Sequence, residues 1–162
     1  MSDNNLPLLV FLPTTSQRME EKELPINFFS EEIDFELDNE EKTSNWLQKI
    51  ANKEGFVTSA INYIFCDDKY LHKINMEYLN HDTYTDIITF DNSEQAQVLE
   101  ADIFISVERV KENSKELKTT FEQEIHRVMV HGLLHLTGND DHSAEEKQLM
   151  REKEDTALAI LE

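Results

Sequence analysis

The segment from Phe121 to Leu136 constrains the fold most. Phe121, Ile125, Val128, Met129 and Leu133 recur at helical spacing, and Gly138 supplies a stop just beyond. A helix this apolar must lie on a sheet or on other helices. The rest of the chain offers both. Ile33-Asp34-Phe35-Glu36-Leu37 alternates like a half-buried strand, and Val57 to Phe65 is rich in β-branched and aromatic residues. Asp86 to Phe90 and Glu100 to Ile105 read as two further strands. Glu40 to Glu54, with Trp46, Leu47, Ile50 and Ala51 on one face, reads as a helix stopped by Gly55. Asp67 to Leu79 reads as a second helix, and Ser106 caps a third that reaches about Leu117. Ser143-Ala144-Glu145-Glu146 is a capping box that opens the last helix. The expected fold is α+β: a single domain with about four strands in one mixed sheet, covered by helices. Residues 1–23, with two prolines and no clear period, read as an N-terminal extension before a domain over 24–162.

A length of 162 residues suits one domain. The single cysteine, Cys66, lies in the apolar run Ile64-Phe65-Cys66 and reads as a buried thiol; it permits no internal disulfide. The apolar stretch Leu6 to Leu12 is short, broken by Pro7 and preceded by Asp3, unlike an export signal. No run approaches the roughly 20 apolar residues of a membrane span. The expectation is a soluble, cytoplasmic protein with no membrane partner. The net charge of -19 opposes nonspecific attraction to phosphate backbones. That charge is uneven. Glu20 to Glu41 holds ten acidic residues and one basic residue, whereas Ser106 to Arg127 holds five of each sign. A nucleic-acid partner is weakened by the total charge but not excluded.

The chemistry is concentrated in His131-Gly132-Leu133-Leu134-His135-Leu136-Thr137-Gly138-Asn139-Asp140-Asp141-His142. Residues four apart on a helix face the same way, with Cβ atoms roughly 5–6 Å apart. His131 and His135 can then reach one transition metal, with zinc as the expected ion, at about 2.0–2.1 Å. Gly138 lets the chain turn back, so a third ligand just past it can close a facial set. A fourth position left open to water is the arrangement of a catalytic site, since structural zinc usually takes four protein ligands. The metal site is thus expected on a helix and the turn that follows it. The spacing is similar to the peptidase pattern H-E-x-x-H-x-x-G-x-x-H. Gly132, however, stands where that pattern has its general base, and the eleventh position is Asp141, with His142 one place later.

The block also resembles the signature H-G-x-L-H-L-x-G-[YF]-D-H of the YbeY family of endoribonucleases. Ile74-Asn75-Met76-Glu77-Tyr78, followed by Asp82-Thr83-Tyr84-Thr85-Asp86-Ile87-Ile88-Thr89-Phe90, is similar to that family's L-N-x-x-[FY]-R…D-x-P-T-D-V-L-S-F. Asp102-Ile103-Phe104-Ile105-Ser106 is similar to its G-D-I-x-I-S, with Ala101 for the glycine. Order and spacing agree from about Ile26 to the C-terminus. The resemblance implies a zinc-dependent, single-strand-specific endoribonuclease acting in small-subunit rRNA maturation and ribosome biogenesis, beside a ribosomal protein of the small subunit.

Two positions depart from that pattern. The third ligand of the family is a histidine; here the slot is Asp141 without a gap, or His142 with one inserted residue. An insertion would have to re-aim the backbone, which favours Asp141, but both stay open. The basic residue after the aromatic of the second block is absent, because Leu79 follows Tyr78. His81 and Lys73 are the candidate substitutes, and His131 and His81 are the expected catalytic residues. Asp86 or Asp140 could orient water, although Asp86 reads first as a turn or strand-entry residue and Asp102 as structural. His126 reads as solvated on another helical face, and His72 has no supporting context. Two other readings remain: a non-catalytic zinc-binding ribosome-assembly factor, and a zinc peptidase-like hydrolase, which Gly132 opposes.

Overall fold

The computed structural model describes residues 24–161. The expectation of an extension over 1–23 lies outside the described residues. Four strands, β1 (Ile26–Ser30), β2 (Val57–Cys66), β3 (Ile87–Asp91) and β4 (Val98–Ser106), form one sheet in the order β1-β2-β4-β3. β1, β2 and β4 run parallel, and β3 lies antiparallel on the edge beside β4. Five helices join them: α1 (Glu40–Lys53), α2 (Asp68–Leu79), α3 (Val107–Glu116), α4 (Phe121–Leu136) and α5 (Ala144–Leu161). This is the expected α+β class with one mixed, helix-covered sheet. Among the described residues no helix is long and apolar enough to cross a membrane.

Strand alternation divides the apolar residues between two faces. Ile61, Tyr63 and Phe65 of β2 join Ala101, Ile103 and Ile105 of β4 in the larger core, which α1, α4 and α5 cover. Ile64, Cys66, Ile88, Phe90 and Phe104 point the other way, under Leu71 and Ile74 of α2. Two polar bonds tie the larger core together. The Trp46 indole N–H donates to the Ala157 carbonyl at 2.8 Å, and the Tyr63 hydroxyl donates to the Met129 carbonyl at 3.0 Å.

One expected strand is not a strand. Ile33 to Leu37 lies outside the sheet, and the first strand is Ile26–Ser30, paired with Ile61 to Phe65. The chain leaves the sheet after the Glu31 N–H bonds the Phe65 carbonyl, and it turns at Glu32, whose φ is +59°. Phe35 then packs against Phe65 and Phe121, and Leu37 is buried. The alternating pattern therefore marks an extended cover over the core, which has the same period as a strand without the ladder bonds.

Helix α4 matches its expected span. It is held at the start by the Thr120 hydroxyl, which accepts the Gln123 N–H. It runs close past β3 at Gly132, where any side chain would require its neighbours to shift. A Cβ on Gly132 would sit 2.8 Å from Ile87 Cδ1 and 3.3 Å from Thr89 Cγ2. The helix ends in a nested pair of bonds, Gly138 N–H to the His135 carbonyl and Asn139 N–H to the Leu134 carbonyl, with Gly138 at φ +98°. This closure turns the chain back along the last helical turn.

Candidate metal centre

The turn after Gly138 is fixed from outside as well as inside. The Asn139 side-chain amide donates to the Leu134 carbonyl and to Glu54 Oε1, each at 3.0 Å. Lys153 of α5 donates to Asn139 Oδ1 at 2.8 Å and to Glu54 Oε1 at 3.0 Å. Burial works against the ionised form of Glu54, but these bonds and the Lys153 charge outweigh it and hold its pKa below the usual value. The end of α1, the turn after α4 and helix α5 are thus tied together.

On either side of that turn stand three residues whose ligand atoms meet. His131 Nε2 and His135 Nε2 are 3.1 Å apart, and Asp141 Oδ2 lies 3.5 Å from the first and 3.3 Å from the second. Tetrahedral bonds of about 2.0–2.1 Å place neighbouring ligand atoms about 3.3 Å apart. The three separations straddle that value, so the donor set and its spacing fit a small cation such as zinc. His131, His135 and Asp141 are each about a quarter to a third exposed, on the wall of an open groove of about 580 Å³. The site is therefore reachable by solvent and by a substrate.

His142 stays outside this group. It is exposed, and its N–H bonds Glu146 Oε1 at 3.1 Å as part of the α5 cap, where Ser143 and Glu146 exchange the reciprocal bonds of the capping box. The cap commits the chain to α5 from Ser143 onward, and Asp141 is the residue that the turn brings back to the histidines. Asp140 is exposed.

The opposite wall of the groove is built by α2 and the residues after it. Asn75 is buried, and its amide holds the Thr83 carbonyl at 2.9 Å. The α2 cap at Asn80 has φ +56°, and the His81 N–H bonds the Asn75 carbonyl at 3.1 Å. His81, exposed, and Leu79, where the resemblance has a basic residue, both line the groove. Lys73, three-quarters exposed, lies near Glu77 and is not among the lining residues. Among the described residues that line the groove there is no lysine or arginine.

Asp86 also lines the groove. Its carboxylate accepts from the Asn113 amide at 3.0 Å, and its carbonyl accepts the Ser106 N–H at 3.0 Å, so it anchors the entry to β3. Burial raises its pKa against the opposing pull of His131, Asn113 and Arg109. Burial also works to lower the pKa of His131. The hydrogen bond and charge of Glu154, with the charges of Asp141 and Asp86, outweigh it and raise the value.

Two other histidines differ from expectation. His126 is half-buried, with its ring edge-on to Trp46 at 5.7 Å. His72 does have context: it bonds Asp82 at 2.9 Å and stacks on Tyr84 at 4.3 Å. Asp102 is buried and accepts from Asn62 and Asn92, a structural role. Sequence reading did not single out Glu154, which contacts His131 from α5. No local pattern marks it, because its partners are 23 and 27 residues away.

Fold and site together define a small α+β protein that offers two helix-borne histidines and a turn-borne carboxylate to an open groove. The chain belongs to the YbeY family: the family described as Endoribonuclease YbeY matches residues 25–162. An Endoribonuclease YbeY of Cytophaga hutchinsonii is 49% identical over 139 residues, covering 86% of this chain and 97% of the relative. One from Christiangramia forsetii is 50% identical over 135 residues, covering 83% and 93%. A Thermotoga maritima protein solved in solution superposes with a TM-score of 0.59 at 25% identity, covering 84% of this chain and 88% of that one.

Proposed function

We propose that this chain is a single-strand-specific, metal-dependent endoribonuclease that acts in small-subunit rRNA maturation and ribosome biogenesis in the cytoplasm. Its domain spans residues 24–162, with residues 1–23 as an extension. Membership of a family whose curated members carry the name Endoribonuclease YbeY supports the reaction class. The observation that carries the reading is the triangle of His131 Nε2, His135 Nε2 and Asp141 Oδ2, with sides of 3.1, 3.3 and 3.5 Å, open to a groove.

His131, His135 and Asp141 are the residues proposed to hold one zinc ion. Bound there, it would polarise a phosphoryl oxygen and lower the pKa of water toward neutrality. The chain supplies the rest. His81 lines the same groove and can donate a hydrogen bond to a phosphate oxygen, the task that the missing basic residue leaves at Leu79. Asp86 lines the same groove and can accept a proton from water. The proposed partners are single-stranded rRNA of the small subunit and one of its ribosomal proteins. A peptidase reading is disfavoured, because Gly132 stands where such enzymes carry the glutamate that serves as general base.

The test is cleavage of single-stranded and duplex RNA by the purified full chain, with and without chelator. The expected result is cleavage of the single strand alone, lost on chelation and in His131→Ala, and weakened about 10-fold in His81→Ala with metal content unchanged. RNA binding with no metal-dependent cleavage would favour the non-catalytic assembly factor. Cleavage that survives both chelation and His131→Ala would contradict the assignment.

A further inference from the structure

His131 has two ring nitrogens, and both are engaged. Nε2 belongs to the ligand triangle, while Nδ1 lies 2.6 Å from Glu154 Oε2. Glu154 is only 5% exposed and comes from α5. Its other oxygen accepts from Arg127 Nη1 at 3.0 Å, and Arg127 Nη2 bonds Asp155 at 2.8 Å. Arg127 lies one turn before His131 on α4. Arg127 and His131 therefore grip the two oxygens of one carboxylate, side by side. The contacts of His135 with charged or ring groups run through Nε2, to His131 and Asp141.

We propose that Glu154 is a positioning residue for the metal centre: it orients the His131 ring and places the ring hydrogen on Nδ1, so that Nε2 presents its lone pair to the cation. This rests on the metal reading given above. The argument is one of donors and acceptors. An ionised carboxylate only accepts, so the 2.6 Å contact requires the hydrogen to be on Nδ1. The lone pair of a neutral ring is then at Nε2, pointing at His135 and Asp141. A carboxylate behind a ligating imidazole also raises its basicity, and loss of such a partner typically costs 10–100-fold in metal affinity. Arg127 is the counterpart that makes the buried carboxylate tolerable, since an unpaired buried charge is costly. Because Glu154 arrives from α5, the centre is assembled only when that helix docks on α4. Docking of α5 and metal affinity are thereby linked.

The experiment uses the full chain. Affinity for Zn²⁺ and Co²⁺ is measured by competition with a chelating dye for the wild type, Glu154→Ala, Glu154→Gln and Asp155→Ala. Unfolding of each metal-free protein is followed in parallel. The hydrogen position on His131 is read by ¹⁵N NMR in the metal-free wild type and in Glu154→Gln, at alkaline pH where the ring is neutral. Expected are a loss of about 10–100-fold in Glu154→Ala, a smaller loss in Glu154→Gln, and none in Asp155→Ala, which touches the same arginine but not the histidine. The wild type should carry the hydrogen on Nδ1, and Glu154→Gln should populate both tautomers. Folded Glu154 variants that bind metal like the wild type would overturn the proposal. So would a wild-type ring bearing its hydrogen on Nε2, or a Glu154→Gln ring with an unchanged tautomer. If the wild type bound no ion the metal reading would fail, while the NMR result would still decide the role of Glu154. If Glu154→Ala did not fold, the isosteric glutamine variant would give both readouts.

Discussion

The two walls of the groove are built on different principles. On the α4 side bonds from distant elements fix several groups: His131 is held by Glu154, Asn139 by Glu54 and Lys153, and the helix end by its closing bonds at Gly138. On the α2 side the buried Asn75 amide holds the Thr83 carbonyl and the Asn75 carbonyl takes the His81 N–H, while His81 itself is exposed. The contrast teaches a division of labour. A cation demands ligand positions correct to a few tenths of an ångström, so its wall is clamped. A flexible single strand demands room to adjust, so its wall is a loop with few fixed contacts.

Changes on the clamped wall should therefore cost most. His135→Ala removes a vertex of the triangle and should lose metal and RNA cleavage together, by more than the roughly 10–100-fold that outer-shell changes cost. Metal analysis and cleavage rates check this, and retained metal would erase the contrast. Next is Gly132→Glu. It drives a side chain into Ile87 and Thr89, and overpacking alone should cost about 1–3 kcal/mol in urea unfolding. An unchanged midpoint would mean that β3 is not pressed against α4.

On the loop wall, Asn75→Ala should cost about 1–2 kcal/mol by leaving the Thr83 carbonyl unpaired. It should raise the KM for RNA while leaving metal affinity unchanged. A loss of metal in this variant would show that the two walls are not separable.

The smallest expected effect lies away from both walls. Burial against Trp46 lowers the His126 pKa, with Lys42 adding to this and Glu122 opposing it. For a histidine depressed in the folded state, the unfolded chain takes up the proton first. The contribution to stability is thus complete above about pH 6.5 and is lost as pH falls through the lower folded value. Urea midpoints between pH 7.5 and 5 should fall further for the wild type than for His126→Phe. Parallel slopes would contradict the assignment.

Legibility in the sequence follows the same divide. The span of α4 and the Gly138 stop could be read to the residue, because period and cap are local signals. The two histidines were legible from their spacing, and the turn narrowed the third ligand to Asp141 or His142. Choosing between them needs the direction of the backbone after Asn139, which the side chains of Glu54 and Lys153 help to fix from distant elements. Ile33 to Leu37 mimicked a strand because an extended cover over a core alternates as a strand does. Ile26–Ser30 gave no such signal: Phe28 and Phe29 are both partly covered, and the partner strand is about 35 residues away. His126 and Glu154 escaped for one reason, since Trp46 and His131 reach them only through the docking of α1 and α5 on α4.

The central claim is that His131, His135 and Asp141, without His142, grip one cation. The direct measurement is metal stoichiometry and affinity in the wild type, Asp141→Ala and His142→Ala. The account predicts one ion per chain in the wild type, a loss of at least about 100-fold in affinity for Asp141→Ala, and wild-type binding for His142→Ala. Retention of metal by Asp141→Ala, together with its loss in His142→Ala, would contradict it.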